Sequence, residues 1–290
     1  MNNSLFHGDI VRSNRTIYTP STFARNNLLF LQEVGELTAK QKHTSGRKNL
    51  NSLLFFVVLK GNGILKYEDT VYNLEEGDCV FIDCENEYLH QTSKELWTLK
   101  WIHFYGTNAK QIFAKYCQRG GKYHFKSENL QKYIRILANI QAIANSNSFT
   151  QDMQIYSQLA LFLNNLMEET WYGINTEKNG KKQKKGEEVK YFIDQNYYKR
   201  ITLDSLSNIF YIDKYYLSKV FKREYDITVN NYLTNVRISE AKKMLRFSNK
   251  TIEEVAQAVG LDDANYFSRV FKKKEEISPK EFRLSWNTNN

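Results

Sequence analysis

Apolar residues recur with two different periods along the chain, and the change falls near residue 127. Between residues 28 and 105, short runs rich in β-branched and aromatic side chains alternate with turn signals: LLFLQEVG, LLFFVVLKGNGILKY, TVYNLEEGDCVFID and ELWTLKWIHFYG. Runs of that length, punctuated by Gly-Asn-Gly and Glu-Gly-Asp, predict an antiparallel sandwich or small barrel. From 127 onward the period lengthens. Leu130, Ile134, Leu137 and Ala138 fall at helical spacing over 127–145, as do Met153, Tyr156, Leu159, Ala160, Leu163, Leu166 and Met167 over 149–172. Ser127 and Thr150 stand where N-caps belong. Two amphipathic helices therefore follow the β region, to pack on it or to pair with a second copy; a homodimer is the expectation.

The segment GINTEKNGKKQKKGEE (173–188) carries a single apolar residue, Ile174, so it cannot bury itself and reads as a hinge. It divides the chain into residues 1–172, a Lys-rich linker over 173–186, and residues 187–290. At 290 residues the chain has the length of two ordinary domains. Its 41% hydrophobic, 25% charged and 14% aromatic composition is that of a folded globular protein. No stretch approaches the roughly 20 apolar residues of a membrane span, and the start lacks a basic segment followed by an apolar run, so the expected compartment is the cytoplasm. Cys79, Cys84 and Cys117 are odd in number and confined to the first half, which excludes a disulfide framework and suits a reducing compartment. The net charge of +9 is uneven. Residues 1–177 hold 18 Lys and Arg against 17 acids, 178–186 hold five Lys and no acid, and 187–290 hold 18 against 15. A polyanionic partner would meet the linker and the last third.

The last hundred residues repeat. YYLSKVFK (215–222) aligns with NYFSRVFK (265–272) at a spacing of 50, with five of eight positions identical. Upstream, Leu203, Leu206 and Phe210 pair with Ile252, Val255 and Val259 at a spacing of 49, so the second copy has one extra residue in its turn. Each copy reads as a short helix (203–209, 252–258), a turn, and a second helix (213–224, 263–274): a helix-turn-helix. Leu217, Val220 and Phe221, with their counterparts Phe267, Val270 and Phe271, recur at i, i+3, i+4 and must face a core. The opposite faces present Lys214, Tyr215, Ser218, Lys219 and Lys222 in the first copy, and Asn265, Arg269, Lys272 and Lys273 in the second. Arg and Lys can donate to guanine edges, Asn can bridge adenine, and lysines neutralise phosphates. Between the copies, 229–245 reads as one long amphipathic helix that would set the two reading helices about one DNA turn apart.

With these motifs, residues 187–286 resemble the DNA-binding domain of the AraC/XylS family of transcription regulators. The resemblance is carried by ITLDSLSNIFYIDKYYLSKVFKRE and TIEEVAQAVGLDDANYFSRVFKKKEEISPKEFR. It implies that Tyr215, Ser218, Lys219, Asn265, Ser268 and Arg269 contact bases, that Tyr216 and Tyr266 pack, and that the partner is double-stranded promoter DNA, with RNA polymerase as a further one. The family has Gly after each recognition helix where this chain has Asp226 and Glu276. Gly suits the left-handed cap conformation, Asp tolerates it and Glu does so less well, so the cap geometry is in question.

The first half resembles the cupin-like β-barrel of sugar-responsive members of that family, through Gly61 to Gly63, Gly77-Asp78 before CVFID, His90, and WIHFYG. A metal-dependent cupin needs a His-X-His pair and a Glu on an early strand. SLLFFVV has none, and His43, His90 and His103 are scattered, so neither metal, cofactor nor catalysis is expected. A sugar site wants flat aromatic faces and a few directed donors, and Arg47, His90, Trp97 and Trp101 are the candidates, near where sugar-binding relatives place theirs. The fold class expected is α+β in two domains: a cupin-like antiparallel β-barrel with a helical dimerisation segment, then an all-α double helix-turn-helix. The function expected is sequence-specific transcription regulation under a small-molecule effector, a carbohydrate. A ligand-independent dimeric DNA-binding protein and a cupin enzyme with a DNA-binding tail are the competing readings.

Overall fold

LLFFVV contains no polar residue to alternate with, and such a run calls for a strand buried on both faces. It becomes the start of β4 (Leu53–Lys60), in which residues 53 to 58 are all buried. The computed structural model describes residues 10–173 and 180–287, and the chain divides into two compact units between 174 and 175. In the first unit β4 lies inside a six-stranded antiparallel sheet. Its order is β1 (Val11–Ile17), β2 (Leu29–Ala39), β9 (Thr98–Gly106), β4, β7 (Asp78–Asp83) and β10 (His124–Lys126). A smaller sheet is ordered β3 (Thr44–Arg47), β8 (Tyr88–Thr92), β5 (Gly63–Tyr67) and β6 (Thr70–Leu74). Short helices α1 (Thr22–Asn27) and α2 (Ala109–Gln118) connect strands.

Alternation then assigns each β4 side chain to a layer. Leu54, Phe56 and Val58 join Leu65, Tyr67, Tyr88, Trp97 and Leu99 in a core that lies towards the small sheet. Leu53, Phe55 and Val57 join a second core with α2, α3 (Leu130–Ala144) and α4 (Gln151–Gly173). There Phe162 meets Phe55 at 4.9 Å, Tyr133 at 5.8 Å and Phe104 at 5.9 Å between ring centroids. Helices α3 and α4 are thus the third layer of the β unit. The helical pattern needs correction in detail: α3 begins after Asn129, not at Ser127, whose hydroxyl instead accepts from the Asn129 N–H. Its buried face is Tyr133, Ile136, Leu137 and Ile140, which leaves Ala138 exposed, and α4 buries Ile155, Leu159, Phe162, Leu163 and Leu166 while Met153 and Ala160 face out. Larger side chains took the core positions. Cys79 and Cys84 are buried thiols of β7 and its exit. No helix among the described residues is long and apolar enough to cross a membrane.

The second unit is all helical: α5 (Gly180–Asn196), α6 (Leu203–Phe210), α7 (Lys214–Tyr225), α8 (Val229–Phe247), α9 (Ile252–Ala258), α10 (Ala264–Glu275) and α11 (Pro279–Asn287). Of the expected linker, 174–179 lie outside the described residues, whereas 180–186 belong to α5. Each helix-turn-helix has its own core. Val189, Ile193, Leu206, Leu217 and Phe221 form one, Val255, Ala256, Val259, Phe267, Phe271 and Phe282 the other. Helix α8 gives Val229 and Leu233 to the first and Ile238, Ala241 and Leu245 to the second.

The duplication extends to the polar devices. Thr202 and Thr251 form reciprocal capping boxes with Ser205 and Glu254, while Asp213 and Asp263 each accept two backbone N–H groups at the start of α7 and α10. Such caps are worth about 1 kcal/mol apiece. Arg237 donates to the carbonyls of Tyr197 and Lys199, and Arg283 to those of Leu245 and Lys250, each tying down the turn before a helix-turn-helix.

The caps after α7 and α10 keep left-handed geometry without glycine, with φ of 57° at Asp226 and 66° at Glu276. A third such residue went unforeseen. Tyr211 has φ 52° in the turn of the first copy, where the second copy has Gly260 at 77°. Its side chain is 95% exposed and recovers little of the strain by packing. Left-handed geometry costs a non-glycine residue roughly 1–2 kcal/mol, part of which glycine gives back as unfolded-chain entropy. Tyr211→Gly and Glu276→Gly should therefore each raise stability by up to about 1 kcal/mol in denaturant unfolding; a loss on both substitutions would contradict the strain.

Candidate functional site

The register between the sheets builds a cavity of about 260 Å³ at one end of the interlayer core. From the small sheet, Ser45 and Arg47 lie two residues apart on β3, opposite His90 and Tyr88 on β8. From the large sheet come Glu33 and Leu37 of β2, Leu54 and Phe56 of β4, and Leu99, Trp101 and His103 of β9, where Glu33 faces His103 across the ladder. Arg15 of β1 reaches over the Trp101 ring, 5.4 Å from its centroid, and pairs with Glu33 at 3.2 Å. Gly35 makes the close approach of Trp101 possible: a Cβ there would stand 2.8 Å from the ring and 2.7 Å from the Asn14 carbonyl.

Of the candidates named from sequence, Arg47, His90 and Trp101 come together on this wall and Trp97 does not. Trp97, just before β9, belongs to the same interlayer core but is fully buried, its ring 5.7 Å from that of His90. Arg15, Gln32, Glu33, Ser45, Tyr88 and His103 were missed. Arg15 lies on the polar edge strand VRSNRTI, which has no apolar alternation to announce it, and Glu33 becomes visible only once the β-bulge between Leu31 and Glu33 is known.

Burial governs the ionisation of the wall. It pushes the His90 pKa down to about 3, helped by His43, His103 and Arg47, and that of His103 down to about 4, helped by Arg47 and Arg15. Both rings are neutral near pH 7. His103 Nδ1 lies 2.8 Å from the buried Ser52 hydroxyl, whereas His90 Nδ1 and Gln32 Oε1 are buried without a hydrogen-bond partner. The wall combines neutral rings, a hydroxyl, a phenol and an amide with apolar side chains from both sheets, a lining suited to a hydrogen-bonding ligand.

In the second unit Tyr215, Lys219 and Lys222 of α7 and Asn265, Arg269 and Lys272 of α10 are exposed, and Ser218 and Ser268 are half-buried at the same places. Lys214 is already paired with Asp204 at 2.8 Å, so its charge is partly spent. Lys273 is exposed as well. Tyr216 and Tyr266, expected to pack, are 37% and 49% exposed, and the Tyr266 ring carries the Arg269 guanidinium at 6.0 Å. They follow the Asp caps on the first turn, where each helix has little core beneath it. Val270 is partly buried, unlike its twin Val220.

Two families match the chain: one described as an AraC-like ligand binding domain over residues 31–170, the other as a helix-turn-helix domain over residues 206–285. The lactose operon transcription activator of Staphylococcus xylosus is 27% identical over 81% of this chain and 84% of its own length. The Msm operon regulatory protein of Streptococcus mutans is 21% identical over 90% of this chain and 95% of its own. An uncharacterized HTH-type transcriptional regulator of Escherichia coli, YijO, is 37% identical over 35% of this chain and 36% of its own. The chain spans between 36% and 57% of the length of that relative and two others matched at similar identity.

The neutral histidines set a pH dependence. An unfolded histidine takes up its proton near pH 6.5, whereas the folded wall resists until about pH 4 at His103 and about pH 3 at His90. Their contribution is complete above pH 6.5 and is lost as the pH falls towards those values. Between pH 6.5 and 5, above most carboxylate titration, each histidine should steepen the loss of stability by up to about 1.4 kcal/mol per pH unit. Unfolding of the full chain across that window checks this, and His103→Gln should flatten the slope; an unchanged slope would mean that the ring protonates in the folded state.

Proposed function

The chain belongs to the AraC family, and on that footing we propose that it is a transcription regulator that reads promoter DNA with α7 and α10 and senses a carbohydrate in the cavity of its β unit. One observation carries the DNA reading: two helix-turn-helix cores joined by the single helix α8, each leaving a face of groove-reading side chains in solvent. In each face the neutral or bidentate groups, Tyr215 and Ser218 or Asn265 and Arg269, lie beside lysines placed to meet phosphate.

The effector reading rests on the cavity. Its volume of about 260 Å³ suits a ligand near the lower end of small-molecule sites, which run from roughly 300 Å³ upward. Trp101 offers a flat apolar face, and Arg15, Gln32, Ser45, Arg47, Tyr88, His90 and His103 offer donors and acceptors around it. That mixture is the chemistry of a polyhydroxylated ring, and a relative named for a lactose operon points the same way. Homodimerisation belongs to the proposal too, through the outward faces of α3 and α4, where Ala138, Met153, Ala160 and Leu161 are exposed.

Selection from randomised duplexes by the full chain, with and without candidate sugars, tests both halves. Arg269→Ala should cost roughly 1–3 kcal/mol on the selected site and relax the preference at one base pair. Lys222→Ala should weaken all duplexes alike and lower the log-log salt slope by about 0.9. If Arg269→Ala leaves the selected sequence intact while Lys219→Ala erases it, α7 is the principal reader.

A further inference from the structure

We infer that the effector is an anionic carbohydrate, a sugar acid whose carboxylate pairs with Arg47 at the cavity mouth while its hydroxyls meet the neutral polar residues of the wall. The inference rests on the proposal that the cavity is a carbohydrate site. It begins from the charges on the wall. Arg15 and Glu33 neutralise each other across 3.2 Å. Tyr88 is held protonated by burial, and the two histidines are held neutral by it. Arg47 remains. Its guanidinium donates to the carbonyl of its own neighbour Gly46 and has no carboxylate partner among the described residues. The wall therefore carries one uncompensated positive charge, beside neutral hydrogen-bonding groups.

The chemistry of the ligand follows from what would cover that charge. Arg47 is exposed at the mouth, and a neutral sugar seated against it would displace part of its water without supplying a counter-charge. A carboxylate matches the planar fork of the guanidinium with two parallel charge-assisted hydrogen bonds. One negative charge balances one positive charge. A phosphate dianion would bring one negative charge more than the single uncompensated positive charge of Arg47 can balance. The ring has its own partners in the neutral polar residues of the same wall, Gln32, Ser45, Tyr88, His90 and His103. On the small sheet Arg47 and His90 lie on neighbouring strands, with Ser45 beside them on β3, so one ligand can span the cation and the neutral residues together.

The experiment is calorimetric titration of the full chain with hexuronates and aldonates, the neutral hexoses and pentoses that correspond to them, the sugar phosphates, and plain carboxylates such as acetate and benzoate. A sugar acid should bind at least about tenfold more tightly than its neutral parent, the worth of a charge-assisted pair over a neutral one. Arg47→Gln should abolish that preference and bring the acid to the level of the parent without moving the melting temperature. Lys48→Gln should leave it intact, since Lys48 is paired with Glu87 at 3.2 Å and lies outside the cavity wall. A neutral sugar that binds as tightly as its acid, or a preference that survives Arg47→Gln, overturns the inference and leaves the carbohydrate reading standing. Tighter binding of phosphates also overturns it, by moving the charge match from carboxylate to phosphate. Binding of plain carboxylates alone, or of no carbohydrate, overturns this inference and the carbohydrate reading together.

Discussion

A single element that must satisfy two cores at once organises each half of this protein. In the β unit that element is β4, whose even residues face the small sheet and whose odd residues face α3 and α4. A strand has only two faces, so every side chain from Leu53 to Val58 is committed, and a slip of one residue would exchange the two cores. In the helical unit the element is α8. Its first turns complete the core around Phe221 and its last turns the core around Phe271, so the two reading helices are referred to one rod. Loop closure alone could not hold two such small units in register; a shared helix does so through buried area.

This division explains what could be read from sequence. Elements with a heavily apolar side were legible: β2, β4, β7 and β9, the repeated helices, and the long helix between them. Elements at the periphery were not. The edge strands β1, β3 and β10 are short or polar, and they are strands because neighbours with apolar faces offer them hydrogen bonds. The same limit hid half of the cavity wall, since Arg15 and Ser45 lie on such strands. Trp97 shows the converse error: as an aromatic beside the strand that carries Trp101 it was a fair candidate, but the sequence could not say that it is fully buried away from the cavity. In α3 and α4, a helical stripe drawn through Ala138, Met153 and Ala160 lost to one drawn through Ile136, Ile155 and Phe162, because volume decides which face is buried when both are apolar.

The polar groups divide along a related line. In the helical unit nearly every structural polar group has its partner: threonine and aspartate caps, arginines on turn carbonyls, and Lys242 on Glu275 at 2.6 Å. What is left over lies on the outward faces of α7 and α10, where solvent or a polyanion can satisfy it. In the β unit the leftovers are internal and spread beyond the cavity wall, at His43, Trp97 and Gln158 as well as His90 and Gln32. The outward faces of the helical unit suit a large charged ligand, whereas the cavity is set apart by its lining of polar side chains around Trp101.

For an enclosed ligand to alter DNA binding, it must have different affinity for two arrangements of the chain, and a coupling of 1–3 kcal/mol is typical. The β unit offers a short mechanical route from cavity to helices. Trp101 and His103 face the ligand space, and the residues between and beyond them, Ile102 and Phe104, face the opposite core. Phe104 touches Phe162 of α4, which in turn touches Phe55 and Tyr133. Close-packed interiors transmit small displacements instead of absorbing them. A ligand that shifts Trp101 by a fraction of an ångström therefore acts on β9 as a whole and through it on the seat of α4. On the proposed dimer, the outward faces of α3 and α4 would carry that shift to a second copy, and the switch would require no motion larger than the repacking of one aromatic cluster.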